Sequence, residues 1–306
     1  MKKLLVKSLM RVLGLLPLWL HYRFAHLLAF LAGKVFRYRV KVVEENLSAS
    51  FPDRSPAELR TIKNQFYRHL GDVLAETVWF GASRGPKRLR RSRLVEISNV
   101  EVLNGLYEKA PGVMVLMSHA GNWELIGGIA SYNYTDKPSC FTEQNFCVVY
   151  LKQSSPLWDS IMRDNRTAPL IDPKGFPGYL ESREVVRYVF EHRGEKKIYN
   201  FITDQHPYFK SRDFLKVDFM HRECESMRGA AALACRFGMA VCYMRMPVES
   251  RGHYKIEYIP ICESASGVDA DDIMRRLQAS GGGHSGPALE LPLDPQQMEK
   301  ISEIKY

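Results

Sequence analysis

VMVLMSHAGNWE, residues 113–124, joins an unbroken apolar run to a histidine, a glycine and a carboxylate. Val113 to Met117 carries no polar interruption, which reads as a strand buried on both faces. Residues 121–130 read as the helix that follows. His119 therefore falls at the carboxyl end of a strand, where open α/β sheets bind ligands.

The same texture continues on the carboxyl side. Residues 145–151, 198–203, 239–247 and 254–261 read as strands, and 181–193 and 228–237 as helices ended by Gly194 and Gly238. Such alternation predicts an α/β fold with a mixed, mostly parallel sheet flanked by helices. On the amino side, Ser55-Pro56-Ala57-Glu58 opens a helix: Ser is a good N-cap, Pro suits the first turn, and Glu completes a capping box. Leu59, Ile62, Phe66, Leu70, Val73 and Leu74 then recur at helical spacing to about Phe80.

The first 40 residues have a different character. Lys2, Lys3, Lys7 and Arg11 precede two apolar stretches, broken at Pro17 and Arg23, and Lys34, Arg37 and Arg39 follow. Neither stretch reaches the ~18 apolar residues of a spanning helix, and no small-residue cleavage site marks a removable signal. Helices lying at a membrane interface fit best; a pair packed on the protein's own core and a single tilted span are the alternatives. The chain thus divides into membrane-associated helices over 1–40, an α/β domain over 41–278 and an irregular Gly- and Pro-rich tail over 279–306.

With 43 basic and 34 acidic residues the chain carries a formal +9, which favours an anionic partner. The run Arg84, Lys87, Arg88, Arg90, Arg91 and Arg93 is either a solvated face or a contact for lipid phosphates. It lacks the interleaved aromatics of a nucleic-acid site, so no nucleic acid is expected. Six cysteines without CxxC pairs read as free thiols of a reducing compartment.

His119 and Glu124 are the candidate catalytic pair. Five residues apart in one helix they would point ~140° from each other, but a strand–turn–helix corner at Ala120-Gly121 can fold the ring back. Glu124 would then accept a hydrogen bond from one ring nitrogen and leave the other as a base. Asn122 or backbone N–H groups at the helix start would stabilise an oxyanion. The alternative is an ordinary hydrogen-bonded pair. No metal is expected, since H-x4-E is not a common zinc spacing and no third ligand is evident.

HAGNWE, residues 119–124, closely resembles the H-x-G-N-W-E core of the bacterial lipid A biosynthesis (lauroyl/myristoyl-type) acyltransferase family. RVKVVEENL at 39–47 followed by Phe51-Pro52, Val149-Tyr150 with Lys152 and Arg166, Asp204-Gln205, and Arg228-Gly229 with Leu233-Ala234 are similar to other family stretches in the same order. The likeness covers roughly residues 1–278. It implies a glycerolipid-acyltransferase-like fold on the cytoplasmic face of the inner membrane and no cofactor. It also implies acyl transfer from an acyl carrier protein thioester to a hydroxyl of an anionic lipid A precursor, with His119 as base and Glu124 as its support. Arg166 would hold a phosphate or help close the site. Asp204 at a strand end would orient a basic neighbour, and Gln205 would supply a donor. Arg228, unfavourable for the dipole at a helix start, suggests an anionic contact.

Two stretches depart from the family pattern. FMHRECESM at 219–227 lacks a common Phe-Phe-Gly, and nothing after Trp158 is tryptophan where the family usually ends in a basic, Trp-containing helix. The latter reads as an altered end from about Gln278. An acyltransferase for another amino-acid lipid or glycolipid, a hydrolase using the same residues, and a non-enzymatic membrane-binding protein are the competing readings.

Overall fold

A computed structural model of the chain describes residues 2–204 and 214–282. Four helices come first: α1 (Lys2–Gly14), α2 (Leu18–Phe30), α3 (Val40–Ser50) and α4 (Pro56–Gly81). Pro17 separates α1 from α2, because its missing N–H cannot continue a helix. α2 runs into a turn of π-helix, Leu31–Val35, and the resulting pair is bent by 115°. Among the described residues no single helix is long and apolar enough to cross a membrane. Both α1 and α2 pack along α4. Contact is close where small residues meet: a Cβ on Gly71 would stand 2.9 Å from the Ala25 carbonyl oxygen. The opposite side of the pair stays greasy, with Leu5 70%, Leu15 75% and Trp19 64% exposed. One side is sealed by the protein and the other is left for an apolar neighbour.

The capping box at the start of α4 forms: the Glu58 carboxylate accepts from the Ser55 N–H at 2.9 Å and Ser55 Oγ accepts from the Glu58 N–H. α5 (Lys87–Ser92), β1 (Val95–Ile97), α6 (Val100–Lys109) and β2 (Val113–Met117) follow. Part of the basic run is drawn into the fold here, as Arg88 lies over the Trp79 ring and donates to the Gly14 carbonyl. A 3-10 helix, Trp123–Ser131, replaces the α-helix expected over 121–130. Then come β3 (Phe146–Tyr150), α7 (Pro156–Arg166), β4 (Tyr179–Glu181), α8 (Val185–Glu191) and β5 (Ile198–Ile202). The expected helix at 181–193 is thus shorter: Glu181 ends the three-residue edge strand β4, and residues 182–184 form a turn before α8 begins. A hairpin of β6 (Phe214–Phe219) and β7 (Arg222–Met227) precedes α9 (Gly229–Phe237), β8 (Ala240–Arg245), β9 (Val248–Ser250), β10 (His253–Cys262) and α10 (Ala270–Gly282). α10 continues four residues into the predicted loop; its apolar Ile273, Met274 and Leu277 pack on the body.

The main sheet runs in the order β1, β10, β8, β2, β5, β3, β4, with β9 also paired to β10. From β8 to β4 every pairing is parallel; β10 is antiparallel to β8. Helices cover both faces, as the α/β expectation requires. Val113, Val115 and Met117 face Phe80, Leu125 and Ile129, while Met114 and Leu116 face Val189, Ala231 and Ile273. β2 is therefore buried on both sides, each of its residues at 3% exposure or less. Burial of each such side chain contributes about 1.5–3 kcal/mol.

Candidate active site

β2 and β5 are parallel neighbours, with Met117 opposite Ile202. Two residues past each strand end, His119 and Asp204 consequently stand side by side. His119 Nδ1 lies 2.6 Å from Asp204 Oδ1, and Asp204 Oδ2 accepts from the His119 backbone N–H at 2.7 Å. An ionised carboxylate can only accept, so Nδ1 carries the hydrogen and the basic lone pair is on Nε2. The Trp123 ring packs edge-on against the imidazole, centroids 4.7 Å apart. Ring position, tautomer and orientation are all fixed.

The expectation that Glu124 orients His119 is corrected by this geometry. The Glu124 carboxylate instead accepts two hydrogen bonds from Arg166, at 2.7 Å from Nε and 2.6 Å from Nη2, and a third from the Trp123 indole at 3.1 Å. The cause is the corner itself. Gly121 takes a left-handed φ of +70°, and a Cβ there would stand 2.1 Å from the Met246 carbonyl oxygen. From that tight turn the 3-10 helix carries Glu124 toward α7, whose backbone comes flush at Gly127.

Arg166 is likewise committed. Its third contact is Nη1 donating to the Tyr179 hydroxyl at 2.8 Å. Burial works against its charge, but Glu124 beside it holds its pKa above the ordinary arginine value. Burial also pushes the Tyr179 hydroxyl up to about 12, against the lowering influence of Arg166. The phosphate contact expected of Arg166 is thus replaced by an internal ion pair that ties α7 to the corner after β2.

Asn122, expected to face an oxyanion, is fully buried and structural. Its Nδ2 donates to Glu76 Oε2 at 2.7 Å, and its Oδ1 caps the Glu124 N–H at 3.2 Å. Glu76, on α4, also accepts from the hydroxyls of Tyr22 and Tyr254, each at 2.7 Å. Its three donors are neutral, and burial raises its pKa despite them. His69, also on α4, donates through Nε2 to the Gly121 carbonyl at 3.0 Å. The sequence signal for this support was an acid inside the apolar stretch of α4, Glu76 between Ala75 and Trp79, which helical periodicity alone does not single out.

Arg228, at the start of α9, pairs with Asp271 at 3.1 Å. A carboxylate of the chain itself thus supplies an anionic contact at that position. Gln205 and residues 283–306 lie outside the described residues. His119, Asn122, Glu124, Arg166 and Asp204 are brought together, with Asp204 on His119 and Glu124 on Arg166.

The family model of the bacterial lipid A biosynthesis acyltransferases matches residues 2–280, nearly the whole chain. No curated protein matches it.

Proposed function

The chain belongs to the bacterial lipid A biosynthesis acyltransferase family, and on that premise we propose that His119, held by Asp204, is the general base of the transfer. The acceptor is a hydroxyl of a lipid A precursor and the donor an acyl thioester on acyl carrier protein. His119 Nε2 takes the hydroxyl proton as the oxygen attacks the thioester carbonyl. The tetrahedral intermediate then collapses, the C–S bond breaks, and the imidazolium returns its proton to the leaving thiolate. Asp204 stabilises the imidazolium between these steps. Glu124 acts at one remove: with Arg166 it locks the first turn after the base in place.

The observation that carries this reading is the Nδ1 contact of His119 with Asp204 at the carboxyl end of two parallel strands. A formal charge of +9 supports an acidic carrier protein and a phosphorylated acceptor. The exposed apolar side of α1 and α2 supports work at a membrane, on the cytoplasmic face of the inner membrane where the donor is made.

The test is a purified His119→Ala protein given acyl carrier protein loaded with a fatty acid, together with a lipid A precursor. Acylated lipid is expected to fall by ~10²–10⁴ relative to wild type, with the fold retained. Near-normal transfer would refute the role of His119, and free fatty acid without acylated lipid from the wild type would point to hydrolysis instead.

A further inference from the structure

A second polar site lies on the N-terminal side of the molecule. α2, the π-helical turn, α3 and α4 enclose a groove of about 620 Å³ whose lining includes His26, Lys34, Arg37, Lys63, Glu44 and Arg68. Lys63 is bound to Glu44. Lys34, Arg37 and Arg68 are exposed, and among the described residues no carboxylate stands within ion-pairing distance of any of them. Four cations, Lys34, Arg37, Lys63 and Arg68, against the single carboxylate of Glu44 leave the concavity net positive, which raises the local concentration of anions. His26 Nε2, on the same lining, is buried without a hydrogen-bond partner among the described residues.

The local backbone is also unusual. A π-helical turn delivers Lys34, and Arg37 and Arg39 both take left-handed φ values, 48° and 52°. Single π turns and left-handed non-glycine residues recur at binding sites, where the surrounding structure holds them in place. Beside the groove the surface is apolar: Phe30, Val35 and Phe36 are exposed, the last at 74%. A ligand that satisfies both features has an anionic head and hydrocarbon chains.

We propose that this groove holds the phosphate headgroup of an anionic membrane lipid between Lys34, Arg37 and Arg68, with the acyl chains lying over Phe30, Val35 and Phe36. The assignment rests on the groove and not on the role of His119, so either can fail without the other.

The experiment is native mass spectrometry of the full chain with dioctanoyl phosphatidic acid, dioctanoyl phosphatidylcholine or inorganic phosphate. The wild type is expected to bind one phosphatidic acid in preference to the other two. Each basic residue near an anionic headgroup is worth ~1 kcal/mol, so Lys34→Gln, Arg37→Gln and Arg68→Gln together should weaken that binding by roughly 100-fold. Lys174→Gln, Arg183→Gln and Arg193→Gln, an equal charge loss at exposed positions on the α/β body, should leave it nearly unchanged. Arg68→Gln alone should give roughly a 5-fold loss, which serves if the triple variant folds poorly. Equal losses in the two triple variants, no preference over phosphatidylcholine, or inorganic phosphate binding as tightly as the lipid would each overturn the assignment.

Discussion

Met117 and Ile202 face each other at the ends of two parallel strands, and that register sets His119 beside Asp204. Asp204→Asn keeps the shape but removes the negative charge and one of the two acceptors that hold the imidazole and the His119 backbone. A ring freed to take the wrong tautomer is a poor base. We expect the turnover number to fall by ~10² or more while substrate affinity changes little. Steady-state kinetics with a lipid acceptor would expose a purely structural Asp204 by an unchanged turnover number.

Glu124 and Arg166 form a pair with side-chain exposures of 9% and 20%. Removing one partner strands the other charge, at a cost of about 3–5 kcal/mol for a fully buried pair; partial exposure places this one near the lower figure. Arg166→Met should therefore unfold at markedly lower denaturant, and adding Glu124→Gln to it should restore part of the loss. Additive losses in the double variant would contradict coupling between the two.

Gly121 has no room for a methyl group. Gly121→Ala must either push back the Met246 carbonyl, 2.1 Å from the new Cβ, or abandon its positive φ. Backbone strain of that kind costs about 1–3 kcal/mol, and relief would swing His119 relative to Asp204. Activity should drop more than stability does, measured as the ratio of acylation rate to melting-point change against a remote control such as Gly194→Ala, which has open space.

Glu76 gives a pH signature. Burial raises its pKa above the ordinary glutamate value of 4.5 in the folded chain. The stability it contributes is fully present below the ordinary glutamate range and is lost as pH rises through the raised folded value. Each pH unit between the folded and unfolded values is worth ~1.4 kcal/mol. Glu76→Gln, neutral throughout, should lack this dependence, so its stability relative to wild type should improve as pH rises. Parallel stability curves for the two proteins across that interval would show that Glu76 is already charged in the fold.

The sheet was legible because its central strands are apolar on both faces and its helices carry caps that local chemistry dictates, Ser55 and Gly238 among them. The position of His119 at a strand end was legible too, since the apolar run before it is unbroken. The residue that contacts the His119 ring was legible only as one able to orient some basic group: the contact with Asp204 in place of Glu124 depends on strand register, a property of pairing between segments 85 residues apart. The partners of Arg166 and Asn122 are hidden in the sequence for the same reason. Glu124 reaches Arg166 and Glu76 reaches Asn122 across the fold.

One carboxylate on α4 takes hydrogen bonds from Tyr22 in the N-terminal helix pair, a helical hairpin, and from Asn122 in the corner after β2. The hairpin is therefore not a detachable tether. Cutting it away to make the protein easier to handle in water would uncork Glu76, wet the bracket that carries HAGNWE, and yield a tidy preparation with a slack catalytic corner.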